Sequence, residues 1–174
     1  MKTILIADIA PAPWKNGGGV TREIALAADD RGMIWRLSVA DVARAGPFSS
    51  FRGLSRALTV IDGKGLLLRH EGGVIEAVRG EPVRFPGDMP IDCDLLDGPV
   101  RDFNLIFDPE RVAADVIWLG KGIHEVRGVG LLALEGTCIA AAEFVVDPGS
   151  FLLFGDEETR RIAVDGAALL VSLA

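Results

Sequence analysis

Cysteine, histidine and long hydrophobic runs are all scarce in this chain of 174 residues. Its two cysteines, Cys93 and Cys138, are far apart and show no CxxC or Cys/His spacing. This usage is typical of buried thiols in a reducing compartment, and of neither a disulfide framework nor a zinc site. Neither His70 nor His124 has a second histidine at a ligand spacing. The sequence therefore predicts no metal site and no other cofactor.

Membrane and nucleic-acid signals are also lacking. No apolar run approaches the roughly 20 residues that a transmembrane helix needs. The segment MKTIL at the start of the sequence reaches Asp8 before an apolar core of a secretory signal develops, so a cytoplasmic protein without membrane contact is expected. The net charge of −7 and the absence of a Lys/Arg run argue against a nucleic-acid partner.

Short apolar stretches separated by turn residues predict an all-β fold. The chain has 21 glycines and 9 prolines, which punctuate these stretches. Segments 35–39 and 102–107 alternate apolar and polar residues, which places Arg36 with Ser38, and Asp102 with Asn104, on single strand faces. The one helix signal is at 109–115, where a turn or two is predicted after Pro109.

A weak internal repeat divides the chain. The segment LTVIDG at 58–63 has a counterpart in LLALEG at 131–136, and a Gly-Asp pair stands nine residues ahead of an Asp-Gly pair in both parts, at 87–98 and at 155–166. We therefore predict two related halves, residues 1–108 and 109–174, joined by the segment that follows Pro109.

The densest cluster of unusual residues is PWKNGGGVTREI at 13–24. Three successive glycines permit positive φ angles and close approach of a ligand to the backbone, and donors and charges surround them. A binding loop and a flexible turn with solvated charges are both compatible with this composition. Nucleotide binding is disfavoured, because GxGxxG and GxxxxGK[ST] are absent and a strand-like pattern follows the glycines.

Two further segments carry unusual residues. In GPFSSF at 46–51, Phe48 and Phe51 are predicted to wall an apolar pocket. In DGPVRDFN at 97–104, Asp102 and Asn104 point together into a barrel or out of it. A buried Asp102 would need a partner, for which Arg22, Arg36 and Arg56 are the candidates. No serine or cysteine has a histidine in a recognisable nucleophile arrangement.

These segments, together with WRLSVA at 35–40 and Arg56, occur in the order found in the HutD/Ves family, which the chain resembles over about its first 107 residues. The resemblance implies a cytoplasmic bicupin-like fold: two related antiparallel β-barrel or jelly-roll halves without the metal-binding histidines usual in cupins. It also implies an association with histidine utilisation or a related stress response, and binding of a small acidic metabolite such as formylglutamate or urocanate.

Our first hypothesis is a binding protein that moderates the pathway, with its site in the N-terminal half. Lys15, Arg22 and Arg56 would hold a carboxylate, and Asn16, Ser38 and Asn104 would orient it. Glu23 and Asp102 would pair with the arginines that the ligand leaves unused. The predicted ligand-binding residues are Trp14, Lys15, Asn16, Gly17, Gly18, Thr21, Arg22, Glu23, Ser38, Phe48, Arg56, Asp102 and Asn104.

Two alternatives remain. The first is a metal-free enzyme, an isomerase, lyase or hydrolase acting on such a metabolite, with Glu23 or Asp102 as general base. The second is a protein-interaction module that docks a partner through a barrel edge or face. A homodimer formed through apolar edge strands is compatible with the sequence, although no specific feature selects it.

Overall fold

The computed structural model describes residues 1–140, 144–155 and 158–173. These residues form nineteen strands and one short 3-10 helix, Ile6–Asp8, which confirms the all-β prediction. The strands are β1 (Lys2–Leu5), β2 (Ala12–Pro13), β3 (Gly19–Asp29), β4 (Gly32–Val42), β5 (Gly46–Pro47), β6 (Ser55–Asp62), β7 (Leu66–His70), β8 (Gly73–Ala77), β9 (Val83–Pro86), β10 (Asp92–Leu95), β11 (Val100–Phe107), β12 (Ala114–Leu119), β13 (Gly122–Val126), β14 (Gly130–Glu135), β15 (Cys138–Ala140), β16 (Phe144–Val146), β17 (Ser150–Leu153), β18 (Arg160–Val164) and β19 (Ala167–Leu173).

The chain forms two compact units. The N-terminal unit comprises residues 10–112, and the C-terminal unit comprises residues 113–174 together with 1–9. The N-terminal strand β1 pairs with β17. The first nine residues therefore belong to the C-terminal unit, whereas the sequence-based division placed them in the N-terminal one. The second boundary, after residue 112, lies four residues beyond the predicted one.

Each unit has two antiparallel sheets. In the N-terminal unit the sheets have the orders β2-β3-β4-β11-β6-β9 and β5-β10-β7-β8. In the C-terminal unit the orders are β1-β17-β14-β19-β12 and β13-β18-β15-β16. The strand order β4-β11-β6 of the first unit corresponds to the order β12-β19-β14 of the second. In this correspondence β4 is equivalent to β12, β11 to β19, and β6 to β14.

This connectivity supports the predicted repeat. Segments 58–63 and 131–136 end β6 and β14, and both continue into a positive-φ glycine, Gly63 and Gly136. The Asp-Gly turns at 97–98 and 165–166 join equivalent strand pairs. Asp156, which completes the second Gly-Asp pair, is outside the described residues.

The connector at 109–115 forms one turn after Pro109, as predicted, but does not continue as a helix. The Asp108 side chain accepts a hydrogen bond from the Glu110 amide at 2.9 Å, and its carbonyl accepts from the amides of Arg111 and Val112. This produces a single turn, after which Ala114 and Asp115 enter β12 and pair with β19. Pairing with a neighbouring strand satisfies these backbone groups better than an isolated helical turn would.

The core of the N-terminal unit lies between its two sheets. Leu58 and Val60 of β6 and Leu66 and Leu68 of β7 are fully buried in one hydrophobic cluster. Cys93 belongs to this cluster, and Cys138 belongs to the corresponding cluster of the C-terminal unit. Both cysteines are buried and free, as predicted.

Candidate functional site

Strand alternation brings polar side chains to the interior face of the six-stranded sheet. Across β4, β11 and β6, Asn104 is paired with Ser38 on one side and with Leu58 on the other. Residues paired in this way share a face of the sheet. Because Leu58 lies in the core, Asn104 and Ser38 point inward. Residues two positions apart on a strand share a face, so Asp102 and Arg56 also point inward. Asp102 and Asn104 thus point together into the barrel.

These inward side chains lead to a cavity of about 530 Å³ within the N-terminal unit. Its lining combines cations, amides, hydroxyls and an aromatic wall. It is formed by Ala12, Pro13, Trp14, Lys15, Asn16, Thr21, Arg36, Ser38, Ala40, Pro47, Phe48, Ser49, Phe51, Arg56, Asn104 and Ile106.

The segment from Trp14 to Gly19 is an ordered turn. Its backbone is closed by a hydrogen bond from the Trp14 amide to the Gly19 carbonyl at 2.9 Å, and the Asn16 side chain accepts one from the Gly18 amide at 2.9 Å. The Trp14 indole donates to Thr21 Oγ1 at 2.8 Å. These bonds favour a shaped cavity wall over a flexible turn, since the loop's polar groups are bound to one another.

The glycines of this turn serve packing and not the approach of a ligand. None of the three lines the cavity. A Cβ on Gly19 would be 2.4 Å from the Asp41 carbonyl oxygen and 3.3 Å from the Trp14 ring, and Gly17 has a φ of 68°. Only glycine fits at position 19. Gly17 has a backbone conformation in the left-handed region, where glycine carries no steric cost.

An aromatic wall faces the cavity, as the sequence predicts. Phe48 and Phe51 both line it, and the Trp14 and Phe48 rings meet edge to face with centroids 6.3 Å apart. The Arg56 Cζ atom lies 4.5 Å from the Phe48 ring centroid and 5.5 Å from that of Phe85. The guanidinium is therefore held between two aromatic faces, an arrangement that attracts a cation.

Arg56 forms the floor of the cavity. It is 7% exposed, and its Nε and Nη2 atoms both donate to Asn104 Oδ1, at 2.8 and 2.6 Å. Its Nη1 atom has no acceptor among the described residues and is not sealed from solvent. Burial lowers the pKa of Arg56 to about 10, although the negative charge of Asp102 opposes this shift. The group thus stays cationic at neutral pH.

Asp102 lies behind this floor and does not line the cavity. It is fully buried, its Oδ1 accepts a hydrogen bond from Asn104 Nδ2, and its Oδ2 has no hydrogen-bond partner among the described residues. Burial raises the pKa of Asp102 to about 6, against the lowering effect of Arg56 and the Asn104 hydrogen bond. Of the three arginines considered as its partner, Arg56 is the one that interacts with it, through Asn104.

Arg22 and Glu23 take different positions from those expected. Arg22 is paired with Val39 and so points to the opposite face of the sheet, where it donates to Asp41 at 2.6 Å. Glu23 accepts a hydrogen bond from Arg36 Nε at 2.7 Å and borders the cavity through that residue. Of the predicted set, the cavity lining includes Trp14, Lys15, Asn16, Thr21, Ser38, Phe48, Arg56 and Asn104, and does not include Gly17, Gly18, Arg22, Glu23 and Asp102.

Arg36 is the main residue that the sequence-based site omitted. It lines the cavity beside Ile106. The signal was present, since Arg36 alternates with Ser38 and must share its face. Phe51 was predicted as a wall but was not included among the ligand-binding residues.

Within the described ranges, no three His, Cys, Asp or Glu side chains are grouped as a metal site would require. In the same part of the chain, no helix has the length and hydropathy needed to span a bilayer. The cavity itself is lined by cations, amides, hydroxyls and aromatic rings.

Comparison with known proteins assigns the family. The HutD family model matches residues 6–171. An uncharacterised 21.2 kDa protein from the hutC 3′ region of Pseudomonas putida is 40% identical over 122 residues, which is 64% of this chain and 60% of that protein. Protein Ves of Cronobacter sakazakii is 35% identical over 59% of this chain and 58% of its own length. The chain thus spans about 60% of the length of the curated relatives that it matches.

Solved structures agree over nearly the whole chain. HutD from Pseudomonas fluorescens, determined in a formate condition, has a TM-score of 0.87 and 34% identity, covering 99% of this chain and 97% of that one. A conserved protein of unknown function from Pseudomonas aeruginosa has a TM-score of 0.85 and 32% identity over the same shares. Protein Ylba of Escherichia coli, at 9% identity and a TM-score of 0.74 over 99% and 90%, shows the fold alone. The chain has a bicupin-like fold and belongs to the HutD/Ves family, which is linked to histidine utilisation.

Proposed function

We propose that the N-terminal unit binds a small carboxylate-bearing metabolite in the cavity above Arg56, and that this binding moderates histidine utilisation without chemical turnover. The observation that carries the proposal is the Arg56 guanidinium. It is a buried cation that lines the cavity, and among the described residues it has no directly bonded carboxylate and no hydrogen-bond acceptor for its Nη1 atom.

The energetics of Arg56 favour an anionic ligand. A buried charge costs several kcal/mol unless it is paired. Asn104 supplies a neutral acceptor, and the aromatic rings supply a further, smaller compensation. A ligand carboxylate would add a charge-assisted hydrogen bond from Nη1, a type of bond about twice as strong as a neutral one.

The remainder of the cavity suits a compact organic acid. Lys15 is exposed and has no ion-pair partner among the described residues, so it remains available to a second anionic group at the cavity wall. Trp14, Phe48 and Phe51 offer apolar contact to a planar or aliphatic portion of the ligand. Ser38 and Asn16 add hydrogen-bonding groups that orient it.

The enzyme alternative receives less support. A general base must reach the substrate within about 3 Å or through one water molecule. Asp102 is fully buried, does not line the cavity and accepts a hydrogen bond from Asn104, and Glu23 is engaged by Arg36. Both candidate bases are therefore poorly placed for proton transfer, which leaves binding as the better-supported function.

Family membership suggests which acids to test. Formylglutamate and urocanate are metabolites of the histidine-utilisation pathway, and each bears a carboxylate that would fit Arg56. The test is calorimetric titration of the protein with N-formylglutamate, urocanate, histidine and glutamate, followed by chemical assay of the recovered ligand. We expect one of the acids to bind at a stoichiometry of one and to be recovered intact.

Two matched arginine variants sharpen this test. Arg56→Lys keeps the charge but loses the planar donor set, and we expect it to weaken binding at least tenfold. Arg22→Lys alters an arginine of the same sheet that points to the other face, so affinity is expected to stay within twofold. Equal effects of the two substitutions, or binding that neither changes, would contradict the assignment of the site. Formation of a product would replace the binding function with an enzymatic one.

A further inference from the structure

Asp102 is a buried acid immediately behind the proposed ligand site. Its Oδ1 is bonded to Asn104 Nδ2, and Asn104 Oδ1 in turn holds Arg56. The Asn104 amide thus connects the carboxylate to the guanidinium. Oδ2 of Asp102 is buried and has no hydrogen-bond partner in the part of the chain that the structure describes. A purely structural acid would be expected to use both oxygens, since each unsatisfied buried acceptor costs about 1 to 3 kcal/mol.

The charged and titratable groups near Asp102 are few. On its own strand, the residues two positions away on the same face are Val100 and Asn104, which are neutral. On β4 the inward-facing neighbours of Asp102 are Ala40 and Ser38, which are also neutral. Among the described residues, the groups that carry or can acquire charge are Arg56 on β6, Cys93 on β10 and, on the opposite face of the sheet, Asp41 with its ion-pair partner Arg101. Before a ligand binds, the floor therefore holds one cation and one carboxylate.

We propose that Asp102 takes up a proton on Oδ2 when a ligand carboxylate binds Arg56, so that the affinity of the cavity for carboxylates rises as the pH falls. This inference rests on the proposed function and adds a form of regulation to the same site. The proton comes from solvent, and no covalent bond other than the new O–H bond is formed or broken.

The reason is charge balance. A bound carboxylate would place a second negative charge near one guanidinium, and two carboxylates sharing a site push one of them toward the protonated form. Protonation at Oδ2 leaves Oδ1 free to accept from Asn104, so the amide keeps its orientation and its hold on Arg56. Because burial already raises the pKa of Asp102 to about 6, a modest further rise brings the uptake to neutral pH.

The test measures proton linkage with N-formylglutamate as the probe. Its carboxyl groups are ionised throughout the range from pH 6 to pH 8, so they contribute no proton of their own. Calorimetry at these two pH values, in buffers of different ionisation enthalpy, gives both the affinity and the number of protons taken up. For a rise of the pKa of Asp102 by about 1.5 units on binding, linkage predicts about tenfold tighter binding at pH 6 than at pH 8.

Two variants separate this mechanism from a structural role. Asp102→Asn keeps the shape and cannot titrate, so its affinity is expected to change less than twofold between the two pH values, with no proton uptake. Asp94→Asn removes an aspartate from the exposed ion pair with Arg69 and is expected to retain the wild-type dependence. Should Asp102→Asn fail to fold, carbon-13 NMR of the wild-type aspartate carboxyl groups, with and without the probe, reports the same pKa change directly.

The outcomes distinguish the two proposals. Binding that is independent of pH and releases or takes up no proton overturns the linkage and leaves the binding function intact. A pH dependence that persists in Asp102→Asn places the proton elsewhere and also overturns the linkage. Absence of binding by the wild-type protein at both pH values overturns the linkage and the proposed function together.

Discussion

Replacing Asp102 by Asn should stabilise the protein at pH 8, although the substitution removes a buried charge from the centre of a hydrogen-bonded network. The ordinary pKa of an aspartate, 3.8, describes the unfolded chain, and burial raises the pKa of Asp102 in the folded protein to about 6. Between these values the folded state binds the proton more tightly than the unfolded state does. The free energy of unfolding therefore falls as the pH rises from about 4 to 6, and it stays reduced above pH 6.

The size of the effect follows from the two pKa values. A difference of about two units corresponds to about 3 kcal/mol at 1.36 kcal/mol per unit. An asparagine resembles the protonated acid in shape, and its Oδ1 can still accept from Asn104 Nδ2. At pH 8 the variant should thus be more stable than the wild type by up to about 3 kcal/mol. At pH 5 the wild type has regained part of that loss, and the advantage of the variant should be about half as large.

Urea denaturation at pH 5 and pH 8 measures the effect. Trp14 and Trp35 lie in the N-terminal unit and Trp118 in the other, so a Trp118→Phe background makes fluorescence report on the unit that contains Asp102. Comparing variant and wild type at each pH cancels the contribution of all groups that they share. A variant that is no more stable at pH 8, or an advantage that does not shrink at pH 5, would refute the reasoning from burial of an ionised carboxylate.

Two further predictions concern packing and thiol chemistry. Gly19→Ala should lower the melting temperature by several degrees, because the added Cβ would lie 2.4 Å from the Asp41 carbonyl oxygen. Gly120→Ala should change the melting temperature little, because none of the described atoms lies within 4 Å of the added Cβ. Differential scanning calorimetry compares the two variants. Burial raises the pKa of Cys93 to about 12 and that of Cys138 to about 11, so both thiols should react slowly with Ellman's reagent in the folded protein and rapidly in urea. Rapid reaction of the native protein would contradict the burial of these side chains.

The fold was accessible from the sequence because its signals are local. The alternation in 35–39 and in 102–107 predicts strands, and β4 and β11 contain these segments. The recurring turns at 97–98 and 165–166 predict the duplication, since a glycine next to an aspartate favours a tight turn wherever it occurs. The N-terminal strand was assigned to the wrong unit for the converse reason: its partner, β17, is almost 150 residues away, and no local pattern encodes such a pairing.

The candidate site was only partly accessible. No sequence pattern ranks Arg22 above or below Arg56, since both are arginines close to strand residues with turn signals nearby. In the structure Arg22 donates to Asp41 on the far face of the sheet, and Arg56 lies under Phe48 at the floor of the cavity. The difference depends on strand register, because a shift of one residue moves a side chain to the opposite face.

By itself the sequence determined the strand pattern, the turns, the repeated unit and the pairs of side chains that share a face, all of which depend on residues near one another in the chain. Only the tertiary structure decided which face is the interior, and therefore that Asp102, Asn104 and Arg56 form one buried network. The physical reason is that the interior is defined by the packing of two sheets whose strands are distant in sequence. The burial that perturbs Asp102 and leaves Arg56 without a directly bonded counterion arises from that packing.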